Sequence, residues 1–415
     1  MPLKPLESTP AFGTMAAVMD PAKAATLTLL LALAGCVTAP RADRALDWSS
    51  EGEFSAAPPR NVAPPPAPPV TNAVAVRPSA PSKPAVSNSD DFHETWISLN
   101  RWAQKKGMEP PSRCTWNGLP AYSLRTAQGR FTVQPGSSMA DWEGIQVDLG
   151  FPPQLIDSQP FLHALDVRKT LAPLLAGEAM AWQKPNPSIL LDPGHGGADP
   201  GTLSVTGRHE KDFTLDWARR LRNILLANGW KVYLTREADT DLPLTNRVAI
   251  ADTVRADLFL SLHFNSTDSG PRQSGLETYC LPPAGQPSNL TRGFEGVNQS
   301  FPNNAYDTEN ILLATRLHRA VLLGMGGLRD RGVRRARFLG VLRPQQRPAV
   351  LIEAGYLSNP AEAQRIADPD YRQQLAEAVA RGLIGRMDIA GLRAESSPGR
   401  ANSADLPSDL LSPVR

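Results

Sequence analysis

The sequence predicts an open α/β sheet whose candidate site lies at the carboxyl ends of the strands. Three short apolar runs lack helical spacing, as is typical of strands buried on both faces, and they occupy residues 188–191, 257–262 and 349–352. After the first run, apolar residues recur at helical spacing from Glu210, and Gly229 marks the end of that helix. Open α/β sheets bind ligands at the carboxyl edge, so the residues that follow each run carry the functional signal.

Each of the three apolar runs leads to a side chain that can bind a metal or move a proton. His195 follows the first run, and Glu210 opens the helix after a glycine-rich loop. His263 ends the second run, and Glu353 ends the third. Two histidines and a carboxylate leave one ligand position for water, which is typical of a catalytic zinc site. Glu353 is then left as a candidate general base.

Each of these side chains also has a structural interpretation. A histidine after a strand is commonly a hydrogen-bonded surface or core residue. Glu210 can be a helix N-terminal carboxylate that the helix dipole stabilises, and Glu353 can pair with an arginine. His209 is a competing metal ligand, although its side chain is expected to point to the other side. Four such side chains are expected at one edge of the sheet, and this coincidence favours a functional site over four separate structural roles.

Five segments resemble, in this order, the zinc-dependent N-acetylmuramoyl-L-alanine amidases of bacterial cell walls: LLDPGHGGADPG, HEKDFTL, TREADTDLPLTNRVAIA, LFLSLHFNS and LIEAGYLSN. The resemblance covers residues 188–387. It implies a twisted, mostly parallel sheet flanked by helices. It also implies that one zinc ion per chain is bound by His195, Glu210 and His263, and that Glu353 is the catalytic carboxylate.

The reaction implied by the resemblance is hydrolysis of the amide between N-acetylmuramic acid and L-alanine in peptidoglycan. Asn265 is a candidate donor to the substrate carbonyl because it follows His263 closely. The arginine-rich run 329–337, which includes Arg334, is either a solvated face or a binding site for stem-peptide carboxylates. Two other functions stay open: a non-catalytic peptidoglycan-binding lipoprotein, and a zinc peptidase or deacetylase acting on another cell-wall bond.

The start of the chain predicts export and membrane anchoring. Residues 1–35 have the pattern of a signal peptide, and the LAGC segment resembles a bacterial lipoprotein signal with Cys36 as the lipidated residue. The alternative is an ordinary cleaved signal with an incidental cysteine. Residues 36–90 are rich in proline and predict a disordered tether. We therefore expect a lipid-anchored, monomeric protein on the periplasmic side of a bacterial membrane, with the outer membrane as the expected one.

Two folded regions and a tail are predicted after the tether. Residues 91–179 form a small α+β domain, and its segment FTVQPGSSMADWEGIQVDLGFPPQLIDSQPFLHALDV resembles the copper amine oxidase N-terminal-like domain. This domain is either a stalk or wall-contacting module, or merely a spacer. Residues 186–390 form the catalytic domain, which contains a long loop at residues 281–304, and residues 391–415 form a polar, disordered tail. The net charge of +2 gives no reason to propose nucleic acid as a partner.

Overall fold

The computed structural model describes residues 95–177, 182–267 and 270–385 of the 415-residue chain. The predicted signal peptide, the tether, Cys36 and the polar tail lie outside these residues. All the described residues belong to one compact unit.

The secondary structure alternates strands and helices in the carboxyl-terminal part and is mainly β-sheet in the amino-terminal part. The first part comprises β1 (Trp96–Ser98), α1 (Leu99–Lys105), β2 (Ser112–Trp116), β3 (Leu119–Arg125), β4 (Arg130–Val133), β5 (Met139–Trp142), β6 (Ile145–Asp148), β7 (Gln154–Ile156), β8 (Gln159–His163), α2 (Ala164–Asp166), a π-helical turn (Val167–Leu171) and α3 (Ala172–Ala176). The second part comprises β9 (Ser188–Pro193), α4 (Glu210–Ala227), β10 (Lys231–Leu234), α5 (Leu244–Thr253), β11 (Leu258–Asn265), β12 (Leu276–Cys280), a 3₁₀ turn (Pro302–Tyr306), α6 (Asp307–Met325), β13 (Asp330–Arg335), β14 (Ala349–Tyr356), α7 (Pro360–Ala367) and α8 (Pro369–Ile384).

The strands of the second part form a mostly parallel sheet in the order β10-β9-β11-β14-β12-β13. Every pairing in this series is parallel except that between β12 and β14. The three apolar runs are β9, β11 and β14, and they are direct neighbours in the sheet. The predicted α/β class, with a mostly parallel sheet flanked by helices, is therefore confirmed.

The central strands are buried on both faces. Along β9, Ile189 and Leu191 belong to one hydrophobic cluster, whereas Leu190, which points the opposite way, belongs to another. Helices α4, α6 and α8 cover the first face, and α5 contributes to the second. Each fully buried leucine of this kind stabilises the fold by roughly 1.5–3 kcal/mol. The sheet core accordingly supports the loops at the carboxyl edge.

The small α+β region predicted at residues 91–179 continues the same sheet. Strands β6 to β2 form an antiparallel series, and β6 joins β13 through a parallel pairing of Val147 with Val333. Strands β1, β8 and β7 form a separate three-stranded sheet. The small region thus lies directly against β13 of the second part.

The arginine-rich run is not a solvated face throughout. Residues 330–335 form β13, and the side chains of Arg335 and Arg337 are buried. Arg335 donates to the carbonyl oxygen of Lys169 at 2.9 Å and to the hydroxyl of Thr170 at 2.9 Å. The interpretation of the run as a solvated face was wrong for these two arginines, because the polar partners that make burial tolerable come from distant parts of the chain.

Two further observations concern the cysteines and membrane spanning. Cys114 is half-buried, Cys280 is buried, and both are free thiols. Within the described ranges, none of the helices combines the length and apolar character needed to cross a membrane.

Candidate active site

Three candidate metal ligands meet at the carboxyl edge of the sheet. His195 follows β9, Glu210 is the first residue of α4, and His263 lies near the end of β11. Each offers a ligand atom, and these atoms lie within 4.8 Å of one another. All three side chains are buried. The structure thus brings together the group that the sequence predicted.

The carboxylate of Glu210 lies between the two imidazoles. Its Oε1 is 3.0 Å from Nδ1 of His263, and its Oε2 is 3.1 Å from Nε2 of His195. The backbone N–H groups of Phe264 and Thr202 donate to these two oxygens, at 3.0 Å and 3.1 Å. Both oxygens of the carboxylate therefore have a fixed orientation before any ligand binds.

The donor set fits a zinc ion. Two imidazole nitrogens and one carboxylate oxygen are the ligands of many catalytic zinc sites, which keep a further position open. Asp199 Oδ2 lies 2.8 Å from Nδ1 of His195, and such a carboxylate fixes the orientation of a ligating imidazole. His195, Glu210 and His263 would hold the ion.

The electrostatics of the group require a proton to leave when a metal binds. Burial alone would lower the pKa of His195, but the carboxylates of Glu210 and Asp199 outweigh it and raise this pKa to about 10. Burial would raise the pKa of Glu210, but the two imidazoles hold it well below its usual range. Metal ligands bind in their deprotonated forms, so a cation at this group would compete with a proton.

Two buried arginines hold the backbone of the His195 loop. His195 adopts a positive φ of 61°, a region that non-glycine residues seldom occupy. Arg247 donates from Nη2 to the carbonyl oxygen of His195 at 2.9 Å, and from Nη1 to the buried Asp192 carboxylate at 2.8 Å. Arg236 donates to the carbonyl oxygen of Gly194 at 2.9 Å. These surrounding contacts hold the strained backbone conformation of His195.

Two glycines in this loop leave room for the ligand side chains. A Cβ at Gly194 would lie 2.1 Å from Cε1 of His263. A Cβ at Gly201 would lie 2.6 Å from Cδ2 of His195 and 2.8 Å from Oε2 of Glu210. The approach of this backbone to the ligands therefore requires glycine at both positions.

Glu353 lies on β14 directly beside His263 of β11 in the parallel register. Its Oε2 atom is buried and has no hydrogen-bond partner among the described residues. Burial raises the pKa of Glu353 well above its usual value, and the negative charges of Glu210 and Glu277 raise it further. The carboxyl group can therefore accept a proton and keep it.

Glu277 is a buried carboxylate of the site that the sequence analysis missed. It lies on β12 directly opposite Glu353 in the antiparallel register. Its two oxygens accept hydrogen bonds from Asn265 Nδ2, Tyr279 Oη, Arg331 Nε, Arg334 Nη1 and Tyr356 Oη, at 2.7 to 3.2 Å. Burial would raise the pKa of Glu277, but Arg331 and Arg334 lower it overall. The signal available from the sequence was a carboxylate within the segment LETYC, whose other residues are mostly apolar or favour strands.

The comparisons with known proteins agree with this geometry. A family profile described as N-acetylmuramoyl-L-alanine amidase, Amidase_3, matches residues 189–385. The amidase AmiA of Escherichia coli strain K12 is 30% identical over an alignment of 217 positions, which covers 47% of this chain and 74% of that relative. This chain belongs to the N-acetylmuramoyl-L-alanine amidase family.

Other relatives match over a smaller share of their own length. The amidase AmiC of Neisseria meningitidis is 36% identical, over 48% of this chain and 52% of that protein. The amidase AmiC of Escherichia coli O6:H1 is 32% identical, over 58% of this chain and 64% of that protein. The chain thus spans between about half and two thirds of the length of these two relatives.

The two predicted substrate-binding residues of this family member both contact Glu277. Asn265 donates to Glu277 at 2.9 Å, and its Oδ1 accepts from the backbone N–H of Ser266 at 2.8 Å. Arg334 pairs with Glu277 at 3.0 Å and with Asp148 at 3.3 Å. The carboxylate of Glu277, which lies opposite Glu353 in the sheet, thus orients both side chains.

The competing ligand His209 lies outside the metal-capable group. It is the residue that precedes α4, next to Glu210 in the chain. Among the residues that the structure describes, the group comprises His195, Glu210 and His263.

Proposed function

We propose that this protein hydrolyses the amide bond between N-acetylmuramic acid and L-alanine in peptidoglycan, with one zinc ion per chain. The observation that carries the proposal is the buried group of His195, Glu210 and His263 beside the proton-holding carboxyl of Glu353. The family to which the chain belongs supports this reaction over other metal-dependent hydrolyses.

The chemistry divides between the metal and the chain. When bound, zinc supplies a Lewis acid that polarises a carbonyl and lowers the pKa of water toward about 7. Glu353 takes a proton from the attacking water through Oε2 and returns it to the nitrogen of the leaving L-alanine. The raised pKa of Glu353, caused by burial and by its acidic neighbours, lets the carboxyl keep the proton between these two steps. The products are a free N-acetylmuramic acid carboxylate and a free stem peptide.

Asn265 and Arg334 are proposed substrate contacts. Asn265 uses one N–H of its amide for Glu277, so the second N–H can donate to the substrate carbonyl. The guanidinium of Arg334 carries five N–H donors, of which one contacts Glu277 and one Asp148. The remaining donors can pair with a carboxylate of the stem peptide.

The proposed location is the cell envelope, with a lipid on Cys36 and peptidoglycan as the polymeric partner. A proline-rich tether of about 55 residues suits an enzyme that must reach a polymer from a membrane surface. The test is Cys36→Ser, which should move the protein from the detergent-soluble membrane fraction to the soluble fraction. A variant that is still processed and lipid-modified would contradict the lipid anchor.

One experiment distinguishes the proposed reaction from its alternatives. Purified peptidoglycan is incubated with the zinc-loaded protein, and the soluble products are identified by mass spectrometry. The proposal expects intact stem peptides with a free L-alanine amino group. Shortened stems would indicate a peptidase, deacetylated sugars a deacetylase, and unchanged peptidoglycan a binding protein.

A further inference from the structure

The long loop between β12 and α6, residues 281–304, is anchored at its base to the small amino-terminal region; we name it the β12–α6 arm. Gln286 is completely buried in the arm. Its Nε2 donates to Oδ1 of Asp166 at 2.9 Å, and its Oε1 accepts from the guanidinium of Arg335. Both ends of the amide are thus satisfied, one by the small region and one by β13.

Further contacts fix the same base. Arg337 donates to the carbonyl oxygens of Pro283 and Gln286, each at 3.0 Å. Asn289 donates to the carbonyl oxygen of Leu149 at 2.9 Å. Buried guanidinium and amide groups of this kind are costly to expose without partners, so the base of the arm is held firmly. Leu149 and Asp166 both belong to the small region.

The tip of the arm, residues 290–294, contrasts with its base. Ser288 donates its backbone N–H to Glu295 Oε2 at 3.1 Å, which closes the chain on both sides of the tip. Phe294 is 99% exposed, and Leu290 is 36% exposed. Two apolar side chains exposed on one short tip offer apolar surface that a bound ligand can remove from water.

The tip follows Asn289, whose backbone N–H donates to the carbonyl oxygen of Arg335 at 2.8 Å, and the adjacent Arg334 contacts Glu277 of the candidate site. The guanidinium of Arg292 packs over the ring of Phe338, 4.8 Å from its centroid. The tip is thus joined to β13, the strand that carries Arg334 of the candidate site.

We propose that the β12–α6 arm is a substrate-binding element that the small region holds in place. Phe294 packs on the apolar face of a sugar ring in the glycan strand, and Arg292 attracts a carboxylate of the stem peptide. This inference rests on the proposed function, because that function names a polymer with both features as the substrate. It also gives residues 95–177 a role beyond a stalk, since Asp166 and Leu149 position the arm.

The test is binding of the full chain to purified, insoluble peptidoglycan, measured by co-sedimentation. Phe294→Ala should raise the dissociation constant at least about tenfold, because it removes most of the aromatic surface that is buried when the sugar ring binds. Its thermal unfolding midpoint should match that of the unmodified protein. The control is Leu226→Ala, which removes a half-exposed apolar side chain on α4, outside the arm, and should bind normally.

A second pair of variants tests the anchor without altering the tip. A Cβ at Gly150 would lie 2.1 Å from Cγ of Gln286, whereas one at Gly296 makes only ordinary contacts of 3.4 Å or more. Gly150→Ala should therefore weaken binding as Phe294→Ala does, and Gly296→Ala should not.

The outcomes separate the arm from the reaction. Unchanged binding of Phe294→Ala would overturn the arm proposal, whatever the products of digestion are. If Phe294→Ala weakens binding but the unmodified protein releases no stem peptides, the arm proposal is supported and the proposed reaction is overturned.

Discussion

The guanidinium of Arg247 donates to the carbonyl oxygen of His195 at 2.9 Å and connects that candidate metal ligand to the buried carboxylate of Asp192. His195 has a positive φ, so its backbone needs support from outside the loop. The Asp192–Arg247 ion pair gives that support, because both side chains are almost fully buried and Asp192 also accepts from Thr235 and Ser261 at 2.8 Å. The ion pair thus links the stability of the sheet to the geometry of the candidate site.

We expect the contribution of the Asp192–Arg247 ion pair to the free energy of unfolding to be lost in acid. Burial alone would raise the pKa of Asp192, but Arg247 and the two hydroxyl donors outweigh it and hold the pKa below its usual value. The unfolded carboxyl, with a pKa of about 3.9, therefore binds protons more readily than the folded one. The stabilising contribution is fully present above about pH 5, and it is lost as the pH falls through the folded pKa, below about 4.

The measurement is the free energy of unfolding of the unmodified protein and of Asp192→Asn between about pH 3 and pH 6. Asparagine keeps the size and the hydrogen-bonding oxygen but does not titrate. The advantage of the unmodified protein should shrink as the pH falls. A difference that stays constant over this range would contradict the assignment.

We expect the substitution Gly201→Ala to impair metal binding specifically. Alanine at this position would place Cβ within 2.8 Å of both His195 and Glu210. Gly207 is a matched control, because it also has a positive φ but a Cβ there would contact nothing within 4 Å. Both alanine variants should lose some stability from backbone strain, by roughly 1 kcal/mol or more. Only Gly201→Ala should lose most of its zinc in elemental analysis, and equal zinc content in the two variants would contradict this geometry.

The proposed metal ligands can be tested by replacing single histidines. His195→Ala and His263→Ala should each lose most of the zinc, whereas His209→Ala should retain it. The two zinc-poor variants should still unfold cooperatively, because the sheet core does not depend on the ion, unlike a zinc finger. Full zinc content in His263→Ala would place another residue in the ligand set.

The parts of the site that the sequence predicted are those with a local signal. The strand ends at His195, His263 and Glu353 could be located because each follows an apolar run within a few residues. The start of α4 at Glu210 was visible from the helical spacing that follows it. The parallel arrangement of β9, β11 and β14 then brought these residues together at one edge.

The parts that the sequence analysis did not predict depend on distant partners. Glu277 has its role because donors arrive from β11, β13 and β14, and no spacing along the chain encodes that meeting. Of the two interpretations of the run 329–337, the solvated face does not hold for Arg335 and Arg337, which are buried. Their burial depends on carbonyl groups of the β12–α6 arm and of the small region. There was also no signal in the sequence that the small region and the second part share one sheet. Their strands β6 and β13 meet through a single pairing, of Val147 with Val333.

Glu353 decides whether the proposed mechanism holds. Glu353→Gln keeps the size of the side chain and its place on β14 but removes the ability to accept a proton. Zinc content and the thermal unfolding midpoint should therefore stay near those of the unmodified protein. The matched control is Glu237→Gln, because that glutamate is 72% exposed at the surface and lies outside the candidate site.

The most direct test is the rate at which zinc-loaded Glu353→Gln releases stem peptides from purified peptidoglycan. General acid–base catalysis typically contributes about a hundredfold to ten-thousandfold to a rate, so the account predicts a fall of that size in Glu353→Gln and none in Glu237→Gln. A zinc-loaded Glu353→Gln variant that releases stem peptides at the unmodified rate would contradict the account.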